Sequence, residues 1–558
     1  MKILVLLKLV IFVTIMLLPL SMSYAQPTVL TSRQWQEDLA FLAKEIPKAH
    51  REPFHKISKS SFDSAVAVLH TQIPSMKDYE IVVGFTKLVA MIGDGHTRLT
   101  LPQDQAVAYS RAHTTTSPPS DSSLFFNHLP VKLELFKDGL FIRSATPAYK
   151  HMVGAQVLQI GNTSADAAIK AVRPVVHYDN EMGFKLLAPT FLVVPEFLAS
   201  LNIANDSKKV KFQVKTRQGK VENITLTPVP LFNAPAFTDA YDVLKTSKPL
   251  SQRDKKSKFW MEYLPDTKTL YVQVNEVNNK EDETMAEFMG KMEKAITAHS
   301  VGRLVLDLRY NPGGNNTIGR SIVLVLARNE HINQPGRLYT LIGPETFSAA
   351  QVLANDLEYY TNTLFAGEPS GSSPSHYGDS RKMYLPNSNL TIRASSIYWR
   401  DWNGNEKRPW TAPHIPVSYT SDDYLKGRDP ALETVLKLPL SDNVGAVMQQ
   451  VYEQNGFMPA AWVYTRFAWD SRANHSTVEA VEKAFGDYLL KQNKGEEAVI
   501  WYNSMGIQRK GTLWPYLGLA QAYLLLNDKE KVESILKKAI MLEPDNKQAN
   551  EMLKAIKE

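Results

Sequence analysis

The chain divides by the period of its apolar positions. From Leu30 to about Val89 they recur every three or four residues, the spacing of one buried helix face. "SRQWQEDLAFLAKEIPKAH" opens with Ser32 as an N-cap, and "YEIVVGFTKLVAMIG" predicts a second helix that stops at Gly93. Between Asn127 and Val229 the period shortens to two. "LPVKLELFKDGLFIRSA" predicts strand, turn and strand, and "AQVLQIGN" predicts another strand. "SADAAIKAV" reads as a capped helix, and "KKVKFQVKTRQGKVENITLTPV" as a hairpin with a Gln-Gly turn. This segment is a small α+β module.

A third pattern starts at Phe259. "TLYVQVNEV", "GRLVLDLRY" and "TNTLFAGE" are short strands rich in Val and Leu. Between them lie the helices "DETMAEFMGKMEKAITAH", "TIGRSIVLVLAR" and "SAAQVLANDLEY". Strands alternating with crossover helices predict an α/β domain around a mostly parallel sheet, ending near "GRDPALETVLKL". After about Asp442 the pattern is helical throughout. "YLGLAQAYLLLNDKEKVESILKKAIMLEPDN" has tetratricopeptide spacing, with Ala520 and Tyr523 in one helix, Ala539 in the next and Pro544 after it. "FGDYLLKQNKGEEAVIWYNSMG" repeats it about 35 residues earlier, Tyr488 matching Tyr523. Two repeats are few for a free-standing array, so they are expected to pack on the body or on a protein partner.

Composition changes this picture little. The 558 residues are 44% hydrophobic and 22% charged, with no cysteine, so the core is large and needs no disulfide. The net charge of +6 is mild and forms no basic stripe, which argues against nucleic acid as a partner. The densest basic run, Arg253–Lys258, reads as a solvated linker. The N-terminus matters more. Lys2 and Lys8 flank an apolar run from Leu9 to Leu20, and "SMSYA" closes it with small residues. This is the pattern of a secretory signal peptide cleaved after Ala25. The mature chain is expected in a periplasm or outside the cell, without a stable membrane span.

Three stretches have residue types suited to acyl transfer. "GDGHT", Gly93–Thr97, puts His96 on a turn beside Asp94; the alternative is a core histidine. "VLDLRYNPGGNN" runs a buried strand into Gly313 and Gly314. Adjacent glycines there let backbone N–H groups face an oxyanion, or simply make a strand-end turn. "ETFSAA" sets Ser348 at a helix start, as a nucleophile or as a plain N-cap.

Together the three resemble the tail-specific proteases, the serine peptidase family of C-terminal processing peptidases and the tricorn core. The matching motifs are Gly93–Thr97, Asp307–Gly314 and Thr346–Ala349, with "FWMEYLPDTKTLYVQVNEV" and "GRDPALE" as further landmarks. The resemblance spans roughly Leu30 to Leu438. It implies an α/β fold with a crotonase- or ClpP-like protease core and a PDZ-like module. It implies Ser348 as nucleophile and the N–H groups of Gly313 or Gly314 and of Ala349 as the oxyanion hole. One branch of the family uses a lysine base in a Gly-Lys-Gly turn. "AGEPSGSSPSHYGD" has none, and Lys382 is the first lysine beyond it. The tricorn branch uses a histidine, which matches His96, and a late glutamate, best matched by Glu406. The serine that precedes the histidine in that branch is here Gly95, so the group that orients His96 stays open between Asp94, Glu406 and another residue. His376 is a rival base placed in a polar loop. Trp399, Trp402 and Trp410 are candidates for a hydrophobic specificity pocket or for packing.

The expected organisation is a signal peptide over 1–25, a helical region over 26–126, a PDZ-like module over 127–232, a protease core over 233–440 and helical repeats over 441–558. The substrate class is peptide or unfolded protein. No metal-ligand spacing or phosphate loop is present in the sequence, so no cofactor is expected. Two other readings remain: an inactive peptide- or apolar-ligand-binding protein on the same fold, and a scaffold dominated by the repeats.

Overall fold

The computed structural model describes residues 30–100, 126–230, 235–440, 444–469 and 475–557. The expected signal peptide lies outside them. Among the described residues no helix is long and apolar enough to cross a membrane. Three helices, Ser32–Ala49, Lys59–Gln72 and Asp78–Ala90, make the N-terminal region. The first starts one residue earlier than expected. Thr31, not Ser32, is its cap, exchanging hydrogen bonds with Gln34 in a capping box.

The next unit is built on strands Val131–Phe136, Gly139–Ala145, Gln156–Ile160, Val210–Lys215 and Val221–Leu226, all paired antiparallel. Ser164 caps the helix Ala165–Ala171, and Gly219 takes φ +84° in the expected hairpin turn. The stretch between these elements forms two further helices, Glu181–Phe191 and Pro195–Ser200. The first of them packs on strand Val131–Phe136.

The core is a six-stranded sheet whose spatial order follows the chain: Phe259–Leu264, Thr269–Val274, Arg303–Asp307, Leu338–Ile342, Leu364–Gly367 and Ile415–Pro416. Only the first pair is antiparallel. Helices Met285–Ala298, Asn316–Arg328 and Ala349–Tyr360 make the crossovers. Every residue of the four middle strands is buried, as a sheet covered on both faces requires. One face, with Leu270, Val272, Leu304 and Leu306, meets the crossover helices. The other, with Tyr271, Val305, Tyr339 and Leu341, meets helices Pro430–Lys437, Val444–Asn455 and Phe457–Ala468. The C-terminal helices therefore begin as a layer of the body.

Two features depart from expectation. Leu338–Ile342 is a central strand although its neighbourhood reads as a Gly-Pro turn. His376 opens a long hairpin, His376–Tyr384 with Thr391–Trp399, rather than lying in a polar loop. The basic run at Arg253–Lys258 is solvated as expected, with Arg253, Lys255 and Lys256 exposed, although Lys255 Nζ lies 3.9 Å from the Tyr310 ring centre. The hairpin matters most for the site. Its second strand pairs with Arg98–Leu99 and draws the Gly93–Thr97 turn onto the core.

Candidate active site

Strand Leu338–Ile342 ends in a tight turn that the neighbouring loop pins in place. The Thr346 hydroxyl donates to the Leu308 carbonyl at 2.9 Å, and the Phe347 N–H to the Asn311 carbonyl at 3.1 Å. Ser348 follows at φ 54°, ψ −123°, a backbone region that non-glycine residues seldom enter. It occupies the cap position of helix Ala349–Tyr360 but makes no side-chain cap bond. The hydroxyl instead shares a hydrogen bond with His96 Nε2 at 2.9 Å, 252 residues away in the chain. The plain N-cap reading of Ser348 therefore does not hold.

Beneath the serine lies the glycine turn. Gly313 and Gly314 have φ +120° and +140°. A Cβ on Gly313 would stand 2.7 Å from Ser348 Cβ, and one on Gly314 would stand 2.4 Å from the Val277 carbonyl oxygen. Any larger residue at either place must displace its neighbour. The two N–H groups differ. That of Gly313 already donates to Asn311 Oδ1 at 3.0 Å, so it is not free for a ligand. Those of Gly314 and Ala349 have no protein acceptor among the described residues.

The histidine turn is held as tightly. Asp94 Oδ1 accepts from the N–H groups of His96 and Thr97 at 2.9 and 2.8 Å, and from the Ser395 hydroxyl at 2.7 Å. Asp94 Oδ2 accepts from His50 Nε2 at 2.9 Å. The other His50 nitrogen accepts from the Glu52 N–H, which fixes the tautomer. Burial alone would raise the Asp94 pKa, but these bonds outweigh it and hold the carboxyl well below the usual range. Asp94 thus grips the backbone of the turn rather than the His96 ring.

His96 stacks on Phe347 at 4.5 Å. Burial, with His376 and Arg98 nearby, pushes its pKa down to about 3, so the ring is neutral near neutral pH. In the tautomer where Nε2 accepts from Ser348, the proton sits on Nδ1. That atom is buried without a hydrogen bond among the described residues, and the Tyr377 backbone acts on the ring.

The remaining candidates fall elsewhere. Glu406 is not brought to the pair. Both its oxygens are committed to Arg408, at 2.6 Å to the backbone N–H and 2.8 Å to the guanidinium, and Arg408 continues to Glu358. His376 lies parallel to His96 with ring centres 5.8 Å apart, and its Nδ1 bonds the Ser373 carbonyl. Trp399 and Trp402 part company. Trp399 bonds Asp379 in the hairpin, while Trp402 is 53% exposed, bonds Asp356 and stacks on Tyr359. Asp179, His50 and Ser395 carry no motif and are absent from the expected set. No group of three or more His, Asp or Glu side chains suited to a metal occurs among the described residues.

A serine hydroxyl on a neutral imidazole, beside the free N–H groups of Gly314 and Ala349, is the equipment of acyl transfer. Comparison with known proteins agrees. Residues 268–334, the unit that carries the glycine turn, match the model of peptidase family S41. No curated protein sequence matches. The fold resembles mature CPAF in complex with lactacystin, with a TM-score of 0.50 and 12% identity over 76% of this chain and 99% of that one. The photosystem II D1 C-terminal processing protease aligns over 74% of this chain and 98% of its own, with 14% identity and a TM-score of 0.36. The tricorn protease aligns over 73% of this chain and 36% of its own, with 9% identity and a TM-score of 0.32. The chain is a serine-type peptidase, and its residues 268–334 are similar to peptidase family S41.

Proposed function

We propose that this peptidase is an exported endopeptidase in which Ser348 is the nucleophile and His96 the general base. The observation that carries the reading is the 2.9 Å bond from Ser348 Oγ to a buried, neutral His96 Nε2. As Oγ attacks the peptide carbonyl, Nε2 takes its proton. The carbonyl oxygen becomes an oxyanion within reach of the Gly314 and Ala349 N–H groups, each worth roughly 3–4 kcal/mol by analogy with other such donors. His96 then returns the proton to the leaving amine, and water cleaves the acyl-serine with the same base. Gly313 shapes the turn and is not a donor in this scheme. Glu406 serves the Arg408–Glu358 network that supports the loop.

The same reading assigns the finer architecture. The core is crotonase- or ClpP-like, the unit over 127–230 is PDZ-like, and the helix pairs His475–Lys491 with Gly495–Gln508 and Trp514–Leu525 with Lys529–Leu542 are tetratricopeptide-type. Export rests on the signal-like residues before Ala25.

The test is a fluorophosphonate probe on the mature chain, read by intact mass. One adduct is expected, absent in Ser348→Ala and reduced at least 100-fold in His96→Ala. An adduct that persists in Ser348→Ala sinks the nucleophile assignment; unchanged labelling of His96→Ala sinks the base.

A further inference from the structure

Three consecutive backbone N–H groups of the histidine turn, those of Gly95, His96 and Thr97, all end on carboxylates. Asp94 takes the last two. The first goes to Asp179 Oδ1 at 2.7 Å, across 84 residues of chain. The second oxygen of Asp179 accepts from the Ser372 hydroxyl at 2.6 Å. Asp179 is therefore shared between the turn that carries His96 and the loop that leads into the hairpin. A Cβ on Gly95 would stand 3.1 Å from Asp179 Oδ1 and 2.7 Å from the Phe347 ring, so the turn is wedged between the two.

Asp179 does not belong to the core. It directly precedes Asn180, which caps helix Glu181–Phe191 of the 127–230 unit. Asn180 Nδ2 also donates to the carbonyls of Ser370 and Pro409, at 3.1 and 2.7 Å. One turn on, Lys185 pairs with Glu368 at 2.5 Å, and a Cβ on Gly183 would touch the Gly371 carbonyl at 3.0 Å. The start of this helix is thus fastened by three bonds, and packed closely at Gly183, to the loops around the catalytic pair. Its other face packs on strand Val131–Phe136.

We propose that Asp179 is a positioning residue for the peptidase reaction: by holding the Gly95 N–H it ties the seating of the 127–230 unit to the placement of the His96 imidazole on Ser348. The proposal rests on the Ser348–His96 reading. Movement of helix Glu181–Phe191 relative to the core pulls directly on the peptide next to His96. A displacement near 1 Å is enough to cost a reaction about 100-fold without removing any reacting group.

The experiment uses the full mature chain and a fluorophosphonate probe, with kinact and KI measured separately for Asp179→Ala, Asp179→Asn and Ser372→Ala. Asp179→Ala is expected to lower kinact about 100-fold with KI within threefold of the parent. Asp179→Asn keeps an acceptor for the Gly95 N–H and is expected to recover kinact to within about tenfold of the parent. Ser372→Ala frees the second oxygen only and is expected to lower kinact by a few-fold. Circular dichroism establishes folding of each variant. If Asp179→Ala does not fold, Asp179→Asn and Ser372→Ala carry the test. Parent-like kinact in every folded variant overturns the proposal, and so does an Asn variant as impaired as the Ala variant. His96→Ala in the same series separates the two failures: a parent-like kinact there overturns the base assignment itself, whatever Asp179 does.

Discussion

Ser348 stands where a helix cap belongs, yet its hydroxyl turns away from the helix to His96. That choice is enforced by the backbone, since φ 54° with ψ −123° points the side chain off the helix axis, and the cost is of order 1–3 kcal/mol. Gly313 makes the conformation possible by leaving room against Ser348 Cβ. Gly313→Ala is accordingly expected to fold but to lose about 100-fold in fluorophosphonate labelling, because the new methyl must displace the serine or the Ala349 N–H. Labelling within threefold of the parent would show that the turn yields freely. The fold brings Ser348, His96 and the glycine pair together, and each stood out as a candidate in the sequence because it sits in a short motif. Which N–H groups stay free was not legible there. Only the fold shows that Asn311 Oδ1 consumes the Gly313 N–H, and that Arg408 claims Glu406. Asp179 and His50 reach the turn across 84 and 44 residues of chain and leave no local pattern to read.

Elements were recovered where one period ran long enough to dominate. The crossover helices and the strands Thr269–Val274, Arg303–Asp307 and Leu364–Gly367 fall where the apolar runs place them. Leu338–Ile342 was hidden because its five residues abut Gly343 and Pro344, which read as turn. The hairpin His376–Trp399 was hidden because its first strand is exposed from Asp379 onward and carries mostly polar residues. The C-terminal helices split into two kinds that repeat spacing alone does not separate. Helices Val444–Asn455 and Phe457–Ala468 cover a face of the core sheet, whereas Lys529–Leu542 and Lys547–Lys557 pack around Leu536, Ala539 and Ala549 against Leu513 and Ala520, away from that sheet. Removing residues 528–558 is therefore expected to leave a soluble chain that labels within about twofold of the parent. Removing 444–558 strips the layer over Tyr271, Val305, Tyr339 and Leu341, and exposed apolar area of that kind aggregates. Expression and probe labelling of the two truncations decide the matter. A soluble, active 444–558 deletion would mean that the sheet does not need that layer.

At the scale of the whole molecule, the site and its supports share a dependence on neutral histidines. Burial pushes His96, His177 and His414 each down to about 3. His414 shows why the neutral form is needed, since its Nδ1 accepts the Phe365 N–H in the core sheet at 2.9 Å and has no room for a proton. In the unfolded chain these rings regain the ordinary value near 6.5. Their contribution to stability is thus complete above that pH. It falls as the pH drops from about 6.5 towards 3, because the unfolded state then binds protons that the folded state refuses. At pH 5 the loss is on the order of 2 kcal/mol per ring, a large share of a typical domain's stability when three rings act together. Asp94 does not offset it, because a depressed carboxyl adds stability above about pH 4 and none of that extra is gained on acidification. Thermal unfolding is therefore expected to move to clearly lower temperature between pH 7.5 and 5, with inactivation following unfolding rather than titration of His96 in the folded state. His414→Asn, which retains an acceptor for the Phe365 N–H, is expected to flatten that slope by at most about a third relative to the parent, since His376, His128 and His55 are also held below their ordinary value. A melting temperature constant from pH 7.5 to 5, or a slope unchanged in folded His414→Asn, would remove the histidines as its cause.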